Sequence, residues 1–371
     1  MLATLPQISS AADTLRYCTE EDRLPEVNCG LLHHRWYNYV DHVKPRLCAA
    51  VNAMRAASCA QLGSVSFVQA LVERAGLFGN RGSSSVHVYG PAAVHTIHGA
   101  GPSGLWQDPL QLATALIYLG ARVDVRTYVE YGVWSCWTAT FVSAYLQRVS
   151  STGGRGFHGL AVDTILVQRN FIAPNIATLM AMLNVSFVGS NDFARGVHRL
   201  TAPAYDLCFI DAIHTYTDTA NDYARFAGAC RWMMFHDVND LLGWLQPSAE
   251  AWQIPMNASG HKVHRIVNKG LRAGLRGGGT PGFWHDLATA VGKTRATTVS
   301  TQLTATLPMF GIGILAPNEK GDAGLGAAAK SFLESASPST TSWHWLCQGM
   351  HTVDLCGQML KGIPDAESVA E

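Results

Sequence analysis

The sequence has few charged residues and no excess of either sign. Only 15% of its 371 residues are Asp, Glu, Lys or Arg, and 27 basic side chains balance 27 acidic ones. About 25% is usual for a globular chain. A hydrophobic share of 48% excludes a disordered chain, which needs low hydrophobicity and high net charge. A neutral surface attracts neither nucleic acid nor an anionic membrane, and its weak charge repulsion predicts a homo-oligomer or larger assembly.

Lysine, paired cysteine motifs and long apolar runs are also missing. No lysine occurs from Pro45 to His261, which excludes a lysine base there. The nine cysteines are scattered without a CxxC pair, so we expect no zinc ribbon and a reducing compartment, with Cys208 and Cys230 as small core residues. The start lacks the basic and apolar regions of a signal peptide, and no run of ~18 apolar residues exists. The predicted location is the cytoplasm.

Strand-like and helical segments alternate between residues 105 and 317. The strand-like segments are apolar nearly throughout, which is typical of a parallel sheet covered on both faces. We predict an α/β domain at 105–317, a mostly helical N-terminal extension at 1–104, and a partly flexible C-terminal extension at 318–371. Polar groups follow the strands at their carboxyl ends, the edge where open α/β sheets bind ligands.

The first such group is the segment EYGVWSCWT, residues 130–138. It predicts a strand that turns at Gly132 and enters a helix, whose amino end faces the polar part of a ligand. It is not a GxGxxG motif, because Trp134 and Cys136 occupy the later glycine positions and obstruct a pyrophosphate. An adenosyl ligand without phosphate tolerates larger side chains there. An ordinary strand-to-helix turn is the alternative. The candidate cofactor-binding residues here are Glu130, Gly132, Trp134 and Ser135.

Asp163 ends the next predicted strand. A carboxylate at this position suits hydrogen bonds to both hydroxyls of a ribose. The alternative is a helix N-cap, a position that aspartate favours.

Two later strands also end in carboxylates, Asp211 and Asp237. On neighbouring parallel strands these groups would lie side by side and repel each other unless a cation joined them, and oxygen ligands suit Mg²⁺. His236 could add a nitrogen ligand, which would admit a transition metal. His214 could take a proton from a hydroxyl held beside the metal. The alternative is that both carboxylates cap helices and that His214 is a surface residue.

These segments together resemble the class I S-adenosylmethionine-dependent methyltransferases, in particular macrocin-type O-methyltransferases and cephalosporin hydroxylase-like proteins. The resemblance rests on WQDPLQLA, YVEYGVWSCWT, AVDT, YDLCFIDAIHTY, FHD and FGIGIL, in family order. It implies a Rossmann-like, doubly wound, mostly parallel sheet with the last strand antiparallel. Two positions depart from the family pattern: Cys136 replaces the usual glycine, and His236 replaces an acid of the macrocin type.

The resemblance also implies roles for single residues. Glu130 and Gly132 would lie at the methionine end of S-adenosylmethionine, and Asp163 at its ribose. The remaining roles are adenine contacts for Ser190 and Asp192, metal ligation and cofactor contact for Asp211, metal ligation for Asp237, and general base for His214.

We therefore expect metal-assisted O-methylation of a small-molecule hydroxyl acceptor, with S-adenosylmethionine and Mg²⁺ or another divalent cation. Asp211 and His214 are the candidate catalytic residues, and Asp211, His236 and Asp237 the candidate metal ligands. Two alternatives stay open. One is a non-catalytic structural or assembly protein with this fold. The other is a nucleic-acid methyltransferase, which the lack of lysine around Asp211 disfavours.

Overall fold

A computed structural model describes residues 15–21, 23–29, 44–75, 107–152, 154–165, 174–197, 204–212, 214–238, 279–292, 295–299 and 311–317. Parts of the predicted N-terminal extension and the whole predicted C-terminal extension at 318–371 lie outside the described residues. The boundaries of the predicted domain at 105–317 therefore stay predictions.

Seven described strands form one sheet. They are β1 (Thr127–Tyr131), β2 (His158–Asp163), β3 (Val185–Gly189), β4 (Tyr205–Ile210), β5 (Cys230–His236), β6 (Ala296–Val299) and β7 (Ile312–Leu315). The order across the sheet is β3-β2-β1-β4-β5-β7-β6. The pairs among β1 to β5 are parallel, and β7 runs antiparallel to both β5 and β6. The prediction of a doubly wound, mostly parallel sheet with an antiparallel last strand is confirmed.

Helices cover both faces of this sheet. The described ones are α1 (Lys44–Ala56), α2 (Cys59–Leu62), α3 (Val65–Arg74), α4 (Pro109–Gly120), α5 (Trp137–Val149), α6 (Pro174–Met182), α7 (Ser190–Val197), α8 (Tyr216–Phe226) and α9 (Gly279–Val291). Residues of α1 to α6 share one buried core, and residues of α7 to α9 share the other. Every residue of α5 is buried, because this helix packs between the sheet and α1.

The chain order explains where a ligand site forms. β1 lies between β2 and β4, so the connections leave in opposite directions on either side of it. Such a switch point opens a crevice outside the carboxyl ends of the strands. Asp163 is the last residue of β2, and Asp211 and Asp237 directly follow β4 and β5. All three carboxylates therefore lie at the carboxyl edge of the sheet, where the crevice opens.

The cysteines differ from our expectation. Cys208 and Cys230 are buried, as predicted, but they form a disulfide with each other. Two more disulfides, Cys18–Cys59 and Cys29–Cys48, tie residues 15–29 to α1 and α2. The sequence contains no pair motif because these partners are 19 to 41 residues apart and meet only in the folded chain. Three disulfides are typical of an oxidising environment, so the cysteine pattern was a wrong basis for a reducing one.

The described part of the chain contains no helix both long and apolar enough to cross a membrane.

Candidate functional site

The β1 turn (Gly132–Cys136) joins β1 to α5 in an unusual backbone conformation. Gly132, Trp134 and Cys136 all have positive φ, at 93°, 45° and 62°. A Cβ on Gly132 would lie 2.1 Å from the backbone oxygen of Asp211, so only glycine permits the close approach of this turn to the end of β4. Trp134 leaves 43% of its surface exposed. Cys136 is buried at the N-cap of α5, and burial raises the pKa of its thiol.

Asp163 fastens the β1 turn. Its Oδ2 accepts the backbone N–H of Trp134 at 3.0 Å, and its Oδ1 accepts that of Thr164 at 2.6 Å. Burial raises the pKa of this carboxyl, although the N–H donors oppose the rise. A carboxylate has about four lone-pair sites, so both oxygens keep capacity for hydroxyl donors. Asp163 thus also holds the β1 turn in place, in addition to its predicted contact with a ribose.

Glu130 lies beneath the turn, on the face of the sheet that α5 covers. It is 1% exposed, and Oε2 accepts the hydroxyl of Tyr128 at 2.6 Å. Burial raises the pKa of Glu130 to about 8, with Asp211 adding to the rise and Tyr128 opposing it. At neutral pH this carboxyl therefore holds a proton most of the time.

The two carboxylates after β4 and β5 converge, and histidines join them. We call Asp211, His214, His236 and Asp237 the carboxylate–histidine cluster. Nδ1 of His236 lies 3.1 Å from Oδ1 of Asp211 and 3.1 Å from Oδ1 of Asp237. Burial works against a charged His236, but the two carboxylates outweigh it and raise its pKa well above the ordinary value.

His214 approaches the same carboxylates from the loop after β4. Its Nδ1 lies 2.5 Å from Oδ2 of Asp237, and its Nε2 lies 3.9 Å from Oδ1 of Asp211. Burial of the imidazole lowers its pKa, but Asp237 and then Asp211 outweigh that effect, so the pKa of His214 is raised. Burial would raise the pKa of Asp237, yet the two histidines hold it below its usual range. Asp237 thus orients His214 as an acid orients a catalytic base.

The donor set of the cluster suits a divalent cation. One ligand atom each from Asp211, His214 and Asp237 lies within 4.8 Å of the others. Two carboxylate oxygens and an imidazole nitrogen fit a borderline cation better than a purely hard one. We predicted His236 as the third ligand, and it contacts both carboxylates. Which histidine would complete the set stays a prediction.

The other predicted residues lie near this centre or farther along the edge. Ser135 is buried inside the β1 turn. Ser190 and Asp192 occupy the first turn of α7, after β3, which is two strands away from β1. Asp192 is exposed and lies 3.7 Å from Arg195.

The strand arrangement decides what this chain resembles as a structure. From the sequence we expected a doubly wound, mostly parallel sheet with an antiparallel last strand, and acids at the ends of three strands. The structure has both, with β7 lying between β5 and β6. The chain has a Rossmann-like α/β fold.

Comparisons with known proteins find likenesses of low similarity. No family model and no curated protein matches the chain. The O-methyltransferase TomG from Streptomyces achromogenes, solved with SAM, is 16% identical over 61% of this chain and 87% of its own, with a TM-score of 0.37. The O-methyltransferase from Bacillus cereus, solved with SAH, is 13% identical over 74% and 99%, with a TM-score of 0.33. Methyltransferase PaMTH1 from Podospora anserina, also with SAH, is 12% identical over 68% and 95%, with a TM-score of 0.35. Likenesses this weak carry no conclusion about activity.

Two residues of this site escaped the sequence analysis. Gln107 donates from Nε2 to Oδ2 of Asp211 at 3.0 Å, across 104 positions of the chain. Tyr128 binds Glu130 from two positions earlier on the same strand. The period of a strand, which brings residues i and i+2 to one face, could have paired Tyr128 with Glu130. For Gln107 the only local signal was its place before Asp108, the N-cap of α4.

Proposed function

We propose that the chain is an S-adenosylmethionine-dependent methyltransferase that acts on a hydroxyl group of a small molecule. One observation carries the proposal. The β1 turn, where a methyl donor would bind, packs against the end of β4 so closely that a Cβ on Gly132 would meet Asp211. The donor site and the Asp237–His214 pair therefore belong to one crevice.

The residues at this edge fit the proposed cofactor. The β1 turn has a glycine, a positive-φ backbone and an exposed indole, and Asp163 offers carboxylate oxygens for ribose hydroxyls. Ser190 and Asp192 stand farther along the edge for the adenine. When bound, S-adenosylmethionine supplies an electrophilic methyl group on a sulfonium.

The chain itself supplies proton transfer and positioning. Nδ1 of His214 donates to Oδ2 of Asp237, which leaves Nε2 as the proton acceptor. With an acceptor bound, Nε2 would take the proton of its hydroxyl, and Asp237 would stabilise the resulting imidazolium. Correct positioning of the two reactants is worth roughly 7–11 kcal/mol of the barrier in well-oriented systems.

A divalent cation, Mg²⁺ or a similar ion, is the second part of the proposal. Asp211 and Asp237 would hold it together with His236, which leaves His214 as the base, and it would lower the pKa of the acceptor hydroxyl. His236 is the competing source of positive charge, because its Nδ1 already lies 3.1 Å from both carboxylates. Metal assistance is thus the part of the mechanism that most needs a direct test.

The test is calorimetry with S-adenosylmethionine, with and without Mg²⁺ or Mn²⁺. We expect the wild-type chain to bind the cofactor, and Asp163→Ala to weaken binding at least tenfold, because hydrogen bonds to a charged acceptor are worth ~1.5–3 kcal/mol each. Asp124→Ala, at the opposite end of the sheet, is the matched control and should bind normally. A wild-type chain that binds no S-adenosylmethionine would contradict the proposal.

The same measurement separates a second candidate, a non-catalytic assembly protein with this fold. Cys136 favours it, since a buried cysteine at φ 62° fills the place of a turn glycine. Both candidate functions include self-association of the chain, and a nucleic-acid substrate remains the disfavoured alternative.

The cellular compartment is a separate question. The three disulfides favour an oxidising compartment over the cytoplasm that we expected.

A further inference from the structure

Gln107 carries a buried acceptor that the proposed mechanism does not use. The residue is 2% exposed and lies just before α4. Its Nε2 is committed to Oδ2 of Asp211 at 3.0 Å. Its Oε1 is also buried, and within the part of the chain that the structure describes it has no hydrogen-bond partner. Buried polar atoms of this kind are rare and call for an explanation.

Asp211 fixes which way the amide points. A carboxylate accepts hydrogen bonds and cannot donate them, so the NH₂ group must face Asp211 and Oε1 must face away from it. Turning the amide over would set two acceptors against each other. Leaving Oε1 without a donor costs the folded chain the desolvation penalty of that atom. The site therefore holds an oriented acceptor whose missing hydrogen bond destabilises the folded chain. A ligand with a donor would supply that hydrogen bond.

The charge around Gln107 identifies the kind of donor. Asp211 is its direct partner, at 3.0 Å from Nε2. The amide of Gln107 therefore lies beside a carboxylate that follows β4. The negative charge of that carboxylate favours a donor that carries positive charge over a neutral hydroxyl.

We propose that Oε1 of Gln107 accepts a hydrogen bond from the ammonium group of the cofactor's methionyl end, which makes Gln107 a positioning residue for the methyl donor. This inference rests on the proposed function. An ammonium offers three N–H donors, so it can satisfy Oε1 and a neighbouring carboxylate together. Holding the methionyl end from this side sets the direction in which the sulfonium methyl points.

The test is a binding cycle with S-adenosylhomocysteine and its desamino analogue, which lacks only the ammonium. Gln107→Met keeps the length of the side chain and removes the acceptor. We expect it to weaken S-adenosylhomocysteine binding about 10- to 100-fold, the effect of one hydrogen bond to a charged group. Its affinity for the desamino analogue should change less than twofold.

Gln107→Glu is the matched control variant. It retains an acceptor oxygen but loses the N–H that supports Asp211, so it should keep the preference for the ammonium-bearing ligand. Equal losses for both ligands in Gln107→Met would overturn the inference, because a purely structural role acts on both alike. A wild-type chain that binds S-adenosylhomocysteine but shows no such preference refutes the role of Gln107 alone. A wild-type chain that binds neither ligand refutes the proposed function as well.

Discussion

The two ends of the central sheet both carry aspartates, and their partners differ in kind. At the amino end, Oδ2 of Asp206 accepts the N–H of Arg126 at 2.9 Å and both the N–H and the hydroxyl of Thr127 at 3.0 Å. Asp124 binds Ser151 and Arg126 in the same manner. These donors are backbone amides, hydroxyls and a guanidinium, none of which gains or loses a proton near neutral pH. The carboxylates at the amino end therefore hold the ends of strands and helices in place.

At the carboxyl end, Asp163 also binds backbone N–H groups, but the partners of Asp211 and Asp237 are imidazoles and an amide side chain. Asp211 and Asp237 share His236, and His214 adds a second imidazole at 2.5 Å from Asp237. Histidine is the side chain whose ordinary pKa lies nearest neutrality. An aspartate would therefore become part of the proposed proton-transfer site through the groups that the fold brings to it, and the two ends of the sheet differ in those groups.

The ends differ in backbone strain as well. Tight turns at the amino end place Gly154, Gly156 and Asn184 at positive φ, and these residue types tolerate that conformation. At the carboxyl end, Trp134, Cys136 and Asp237 have positive φ. Aspartate tolerates this conformation as asparagine does, but Trp134 and Cys136 cost more there, and strain of this kind is typical of functional sites.

The largest expected effect breaks the chemical half of this contrast. His214→Ala should lower turnover by about 10²–10⁴-fold, as the loss of a general base usually does, with cofactor affinity nearly intact. The measurement is transfer of a labelled methyl group to a hydroxyl acceptor found by screening, together with calorimetry. His158→Ala, on the exposed amino end of β2, is the control and should change neither quantity.

The pH dependence of the wild-type rate belongs to the same test. A base works in its neutral form, and the pKa of His214 is raised above 6.5. The rate should therefore rise with pH through a value above that one. Equal loss of turnover in both histidine variants, or loss of cofactor affinity in His214→Ala, would contradict the assignment.

A smaller effect concerns the stability of the buried carboxyl under the β1 turn. The pKa of Glu130 is raised from 4.5 to about 8, so between those values the folded state keeps a proton that the unfolded chain has lost. Its contribution to the free energy of unfolding then falls as pH rises, by up to about 1.4 kcal/mol per pH unit. Glu130→Gln should remove this slope while leaving the neighbouring Tyr128 an oxygen to donate to.

Denaturant titrations of the wild type and of Glu130→Gln from pH 4.5 to 8 give the free energy of unfolding at each pH. The two proteins should differ in how steeply this free energy changes with pH. Tyr128→Phe is the complementary variant. It keeps the carboxyl but removes a donor that favours ionisation, so the slope should persist to higher pH. Parallel stability curves for the wild type and Glu130→Gln would show that Glu130 is ionised in the folded state.

Local sequence patterns were enough for the elements and for the edge where the site forms. The run WTATFVSAYLQRV coincides with α5, and the acids at 163, 211 and 237 stand at strand ends as predicted. Contacts between distant positions could not be read in this way. Cys208 and Cys230 look like core residues whether or not they are bonded, and Gln107 meets Asp211 only in the folded chain, across 104 positions. The role of His214 depends on Asp237, 2.5 Å away, more than on its own neighbours in sequence.

The smallest expected effect sharpens the contrast in strain. Cys136 is buried at φ 62°. Replacing it with glycine removes its packed side-chain atoms and also relieves an unfavourable backbone conformation. Comparing Cys136→Gly with Cys136→Ala separates the two, since alanine keeps the strain and glycine relieves it. We expect the glycine variant to be more stable by about 1 kcal/mol, after allowance for the greater freedom of glycine in the unfolded chain. Gly156→Ala gives the reference: Gly156 has φ 79° and nothing within 4 Å of an added Cβ, so its loss of stability measures the backbone cost alone. If Cys136→Gly is no more stable than Cys136→Ala, the β1 turn does not store strain at this position, and the difference between the two ends of the sheet is chemical only.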